Sequence, residues 1–165
     1  MALLELEQVS AILNTPRLKH EKIIGTSVFF INDANQILLL LRDNDDNIPF
    51  PNCWDALGGH VEPGETPLEC INREMEEEIH LNLDSPVLFN VYDLSDRIEC
   101  SYWQKANFDI EQIELGEGQH LKWFTETEIQ AMADDEMAYE FKPIILEFFG
   151  QKPYEEQSHS LPENI

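Results

Sequence analysis

The segment that opens at Thr66-Pro67-Leu68-Glu69 constrains this chain most. Thr66 and Glu69 have the spacing of a capping box, and Pro67 stands at the first helical position, where its missing N–H is no loss. Pro63 and Gly64 turn the chain into the helix this predicts over Pro67–Ile79. Within it Leu68, Ile71, Met75 and Ile79 recur at intervals of three and four, a stripe that must face a core. Glu74, Glu77 and Glu78 fall at i, i+3 and i+4, so they share one face beside that stripe. Like charges so placed repel by about 0.2–0.5 kcal/mol per pair, and the macrodipole disfavours anions in the C-terminal half of a helix. A sequence shaped only for stability would carry Lys there. Either the run is a solvated face, the usual role of acidic helical runs, or a hard divalent cation such as Mg²⁺ or Mn²⁺ reverses the sign of the cost by taking carboxylate ligands. Glu76 points away from the other three and reads as solvated. Arg73 has partners in reach at Glu77 and Glu69, Glu65 can serve the helix dipole, and Gly58-Gly59 is by itself a turn signal.

Charge narrows the choice of partner. Against 10 Lys+Arg stand 33 Asp+Glu, a formal net charge of −23. Nucleic-acid polymers and anionic membranes are therefore poor partners, and a phosphate-bearing substrate would need a cation between it and the protein. The three cysteines, Cys53, Cys70 and Cys100, lack metal-ligand spacing and suit a reducing compartment. The stretch MALLELEQVS has no basic region of the signal-peptide kind, and no apolar run approaches a membrane span. A cytoplasmic protein is expected.

The length of 165 residues suits one domain, expected over 1–150, with 151–165 as a loose polar tail. Apolar positions at Leu3, Leu6, Val9, Ile12 and Leu13 predict a helix over 3–13, ended by Pro16. Strands are expected over 22–31 and 36–42, joined as a hairpin, then over 86–94, 97–106 and 119–124, with helices over 126–133 and 142–149. The segment 43–52, DNDDNIPFPN, reads as a surface loop, and with Phe50 and Trp54 it could form a lip on a substrate cleft.

Gly59, Glu65, Arg73, Glu74, Met75, Glu77, Glu78 and Leu81 together resemble the signature of the Nudix hydrolases, G-x5-E-x7-R-E-U-x-E-E-x-G-U with U aliphatic. Two positions depart from it. His80 stands where the family has glycine, a place suited to the left-handed conformation, and Leu57 where many members have proline. The resemblance implies an α/β fold, an α/β/α sandwich around a mixed sheet with the signature as a loop–helix–loop. It implies hydrolysis of a nucleoside diphosphate linked to another group. It also implies that Glu74, Glu77 and Glu78 hold Mg²⁺, with Mn²⁺ as a substitute, helped by the backbone carbonyl of Gly58 or Gly59. Arg73 and Glu65 would orient the ligands. Glu117-Gly118-Gln119 resembles a segment of MutT-type members and nominates Glu117 as a further ligand or as the base.

Within the family the chain looks most like the MutT-type branch, which converts nucleoside triphosphates to monophosphates and pyrophosphate. Phe141 matches the position of a base-binding asparagine and could stack on a base, alongside Phe50 and Trp54 as substrate-binding residues. Asp96 lies about where ADP-ribose hydrolases carry proline, which lowers that option. A GDP-sugar or other nucleotide-sugar hydrolase is the alternative enzyme. A nucleotide-sensing domain without turnover is the alternative of another class, although no signature carboxylate is missing. The partner is a small nucleotide-type molecule, and the oligomeric state is left open.

Overall fold

The computed structural model describes residues 2–16 and 22–156. In chain order these form β1 (Ala2–Leu3), α1 (Leu6–Asn14), β2 (Ile23–Ile31), β3 (Ile37–Leu41), β4 (Trp54–Asp55), β5 (Leu57–His60), α2 (Pro67–Ile79), β6 (Val87–Asp93), β7 (Arg97–Lys105), β8 (His120–Phe124), α3 (Glu126–Ala131), α4 (Phe141–Gln151) and α5 (Pro153–Glu156). The strands make one mixed sheet in the order β1-β6-β7-β2-β3-β4, with β5 on β2 and β8 on β3. Among the described strands β2 and β7 alone pair in parallel, from Ile23 opposite Arg97 to Ile31 opposite Lys105.

Because successive strand residues face opposite sides, the apolar run of β2 feeds two cores. Ile24, Val28 and Phe30 pack with Cys70, Ile71 and Met75 of α2. Phe29 and Ile31 pack with Ile144, Ile145 and Phe148 of α4. Helices therefore cover both faces, the expected α/β/α sandwich. Among the described residues no helix is long and apolar enough to cross a membrane.

The differences from expectation have local causes. Leu3 is strand rather than helix, because with Ala2 it pairs with Tyr92 and Asp93 on the outer edge of β6. Leu68 leaves the apolar stripe and is 45% exposed, while Pro67, Cys70, Ile71, Met75 and Ile79 form the buried apolar face of α2. The polar tail does not begin at 151. Gln151 closes α4, and α5 brings Tyr154 into the core, 5.3 Å from the Phe148 ring. Residues 157–165, the rest of that expected tail, lie outside the described residues.

Candidate active site

Helix α2 starts as its sequence dictates, with the Thr66 hydroxyl accepting from Glu69 N. It ends at His80, whose φ of 55° and ψ of 37° are left-handed, the conformation that glycine adopts most readily at a helix end. Between these caps α2 lies against β5, and glycines permit the close approach. A Cβ on Gly59 would run into the Glu74 carboxyl group. One on Gly58, at φ 151°, would run into the Thr26 carbonyl. Gly58 N instead points at Glu78 Oε2, 3.4 Å away, while the Gly59 carbonyl accepts from the Thr26 hydroxyl at 3.0 Å.

Arg73 ties this corner together. Its Nε and Nη2 donate to the two oxygens of Glu65 at 2.8 and 3.0 Å, a bidentate pair. Its Nη1 reaches Glu74 at 2.9 Å and Glu77 at 3.2 Å, and Nη2 also meets the His60 carbonyl at 3.2 Å. The guanidinium holds the Glu65 carboxyl below its ordinary range. Glu69, offered by the sequence as a partner, bonds to Thr66 instead.

Three carboxylates converge beyond this clamp. Glu74, Glu78 and Glu117 each bring an oxygen within 4.8 Å of the others. Glu117 arrives on the loop ahead of β8, which is pinned to α2 by Gly116 N donating to the Glu78 carbonyl at 2.8 Å. Gln119 anchors the other side, donating to the Arg42 carbonyl and to Asn52, both at 2.8 Å. Burial pushes the Glu78 carboxyl well above its ordinary range, and Glu117 and Glu74 push it further. Glu74 is raised as well, again first by burial, with Arg73 opposing. For Glu74 and Glu78, burial and the neighbouring carboxylates thus act together against ionisation. Oxygen donors of this density suit a hard divalent cation, which would remove the repulsion.

The cleft over these groups, about 770 Å³, is lined by Gly58, Gly59, Arg73, Glu74, Glu77 and Glu78, among others. Glu77 lies on its rim, its side chain 60% exposed and bonded to Arg73, outside the tight group of three. The 43–52 loop supplies Asp43 and Ile48 to a smaller pocket that shares Leu40, Arg42 and Glu117 with the cleft. The aromatic residues fare differently. Phe141 is corrected: it is 5% exposed and forms part of the core at the first turn of α4, so it has no free face for a base. Trp54 does not line the cleft either, because its ring packs edge-on against Phe124 at 4.8 Å and His120 at 5.4 Å. Phe50 is exposed but sits on Tyr139, 4.5 Å between centroids, away from the carboxylates.

Sequence reasoning missed Asp55 and Arg42. Both line the cleft, and Arg42 Nη1 donates to Asp55 Oδ2 at 2.9 Å. Burial lifts the Asp55 carboxyl to about 6 against the pull of Arg42. The available signal was an aspartate set between Trp54 and Ala56-Leu57, a charged residue inside an apolar strand.

Known proteins resemble the chain in sequence and in fold. The family model of the NUDIX domain matches residues 21–148. The chain is 34% identical over 110 residues to a putative 8-oxo-dGTP diphosphatase of Bacillus subtilis, covering 67% of this chain and 58% of that one. It is 42% identical over 67 residues to an ADP-ribose pyrophosphatase of Methanocaldococcus jannaschii, covering 41% and 38%. The chain thus matches well under two thirds of the length of these curated relatives. The crystal structure of a MutT protein from Methanosarcina mazei superposes with a TM-score of 0.62 at 21% identity, covering 82% of this chain and 99% of that one, which shows the shared fold.

Proposed function

Since the chain belongs to the Nudix family, we propose that it hydrolyses the diphosphate linkage of a small nucleotide-type substrate, as a Mg²⁺-dependent pyrophosphohydrolase of the MutT-like kind acting on nucleoside triphosphates. The observation that carries this reading is the convergence of Glu74, Glu78 and Glu117 within 4.8 Å at the floor of an open cleft. These three, with Glu77 from the rim and a backbone carbonyl of Gly58 or Gly59, would hold the divalent ion. When bound, it would neutralise diphosphate oxygens and lower the pKa of an attacking water.

The residues of the chain do the rest. Arg73, locked by Glu65, keeps Glu74 turned toward the cleft through its 2.9 Å bond and so acts by positioning. Glu117 is the exposed carboxylate of the three and reaches the cleft from the opposite side. It is the group suited to accept the proton as the water oxygen bonds to phosphorus and the bridging oxygen departs. The relatives named for 8-oxo-dGTP and ADP-ribose support small nucleotide anhydrides as the substrate class.

The test uses four glutamates of one chain. With Mg²⁺ present, a panel of nucleotides is offered and the products are resolved as phosphate, pyrophosphate or monophosphate. Glu74→Gln, Glu78→Gln and Glu117→Gln should each lower kcat by on the order of 10²–10⁴. Glu76→Gln, on the solvent side of α2, should leave turnover nearly intact. Equal activity in all four folded variants would refute the assignment.

A further inference from the structure

Glu117 stands between Gly116 and Gly118, with the residue type of greatest backbone freedom on either side of it. Its carboxylate nevertheless comes within 4.8 Å of oxygens of Glu74 and Glu78, although the three charges repel one another. A turn of this composition does not hold such a position by itself, because the exposed Glu117 side chain has solvent to swing into. Anchors outside the turn must fix it. Toward α2 the anchor is Gly116 N on the Glu78 carbonyl. On the other side it is Gln119.

The backbone N of Gln119 donates to the Leu41 carbonyl at 2.8 Å, just ahead of the β3–β8 ladder. Its side-chain Nε2 donates to the Arg42 carbonyl and to Asn52 Oδ1, both at 2.8 Å. A backbone carbonyl only accepts, so the Gln119 amide must present its NH₂ there, and Asn52 must in turn present its oxygen. Asn52 does so from a left-handed backbone, φ 58°, a conformation that asparagine tolerates. Asn52 N donates to the Asp43 carbonyl at 3.0 Å and closes the neck of the 43–52 loop. Gly118 N faces Asp43 Oδ2 at the same neck, 3.4 Å away. Arg42 N donates to the Cys53 carbonyl and Arg42 Nε to the Pro49 carbonyl, both at 2.9 Å. The loop is thus folded back on its own neck, and the neck grips the turn that carries Glu117.

We propose that Gln119 and Asn52 are positioning residues that act through Glu117, a latch by which the 43–52 loop keeps this carboxylate beside Glu74 and Glu78. This role rests on the hydrolase reading, in which Glu117 helps to hold the ion and accepts the proton. It gives the loop a task other than the lip on a substrate cleft that its sequence suggests. The latch bonds oppose the repulsion that would otherwise open the acidic group. Gln119 and Asn52 are both exposed, so losing the latch frees Glu117 without opening the core.

The test is a double-substitution cycle, read by calorimetry of Mn²⁺ binding to the nucleotide-free protein and by steady-state hydrolysis. Gln119→Met keeps the length of the side chain and removes its donor. It should weaken Mn²⁺ binding on the order of tenfold, as expected of a residue that orients a ligand. The same change made in Glu117→Gln should shift affinity by less than about twofold, because the residue it acts through is already lost. At saturating Mg²⁺, Gln119→Met should lower kcat on the order of tenfold and leave KM within about twofold. Asn52→Gly breaks the latch from the loop side without straining the backbone and should act in the same direction, whereas Asn52→Asp keeps the acceptor and should match the parent. Additive losses in the cycle overturn the proposal, as does a raised KM with unchanged kcat, or Asn52→Asp as damaging as Asn52→Gly. If Gln119→Met fails to fold, the Asn52 pair decides. Weakened Mn²⁺ binding in Glu117→Gln but not in Gln119→Met sinks this inference alone. No effect of Glu117→Gln on either readout sinks the role of Glu117 and the latch with it. A non-additive loss of Mn²⁺ affinity in a protein that hydrolyses no nucleotide supports the latch and sinks the hydrolase reading alone.

Discussion

Replacing His80 by glycine should make the protein more stable. His80 holds φ 55° and ψ 37°, where a residue with a Cβ pays about 1–2 kcal/mol. Glycine removes that cost but gains freedom in the unfolded chain, which takes back about 0.5–1 kcal/mol. The cap itself survives, because its bonds are backbone ones: His80 N to the Glu76 carbonyl at 3.1 Å and Leu81 N to the Met75 carbonyl at 3.2 Å. The imidazole is exposed, so little packing is lost with it. The balance is a gain of roughly 0.5–1 kcal/mol, or about 1–4 °C in Tm for a chain of this size. Urea unfolding at 25 °C should show a higher midpoint with an unchanged slope. His80→Ala is the control, since it removes the ring but keeps the Cβ in the left-handed region, and it should gain nothing. If His80→Gly is instead less stable than the parent by more than about 0.5 kcal/mol, the imidazole has a stabilising role that this reasoning denies. If alanine gains as much as glycine, backbone strain is not the cause.

Mn²⁺ or Mg²⁺ at a hundredfold excess over Kd should raise stability by about 2.7 kcal/mol, an increment lost in Glu78→Gln and kept in Glu76→Gln, and melts that stay flat from chelator to millimolar metal would count against the site. Burial raises Asp55 to about 6 and Glu99 to about 7. These acids bind protons more tightly folded than unfolded, so their stabilisation is full below about pH 4 and is lost as pH rises through 6–7. Urea midpoints from pH 4.5 to 8 should fall less steeply in Glu99→Gln than in the parent, and parallel slopes would refute the shift. Phe141→Ala should destabilise by about 3–5 kcal/mol, as for a core phenylalanine, and a variant with near-parental stability but weakened nucleotide binding would restore the stacking role rejected above.

How much of this was legible in the chain depends on the range of the interaction. The α2 caps were legible because Thr66, Pro67 and Glu69 settle the start within four residues, and position 80 falls where a left-handed residue must end the helix. The strand β2 was legible from its β-branched and aromatic residues, whereas its division between two cores follows only from α2 and α4 packing on opposite sides. Phe141 was misplaced because a resemblance supplies an alignment and not a direction. The chain enters α4 one residue earlier than its pattern suggests, and this turns the ring into the core beneath Arg97, 5.3 Å from its centroid. Asp55 left one sign in the sequence, a charge set among apolar neighbours, but its burial, like that of Glu99, is fixed only when the partner strands close over it.

Glu77 and Glu78 show where spacing stops and environment takes over. The helical repeat puts both beside Glu74, and on the sequence they are interchangeable. Packing separates them. Glu78 turns toward Gly58 N under the loop that Gly116 pins to α2, and it is 5% exposed, whereas Glu77 turns to Arg73 and stays in solvent. One carboxylate is therefore neutralised by an arginine at little cost, while the other is buried against Glu74 and Glu117 with no ion pair to a basic side chain among the described residues. In a chain with a net charge of −23 no nearby surplus of Lys or Arg offsets that burial. A divalent cation shared by the three carboxylates would remove the penalty, and it would supply the positive charge that the proposed diphosphate substrate needs in order to approach so acidic a protein.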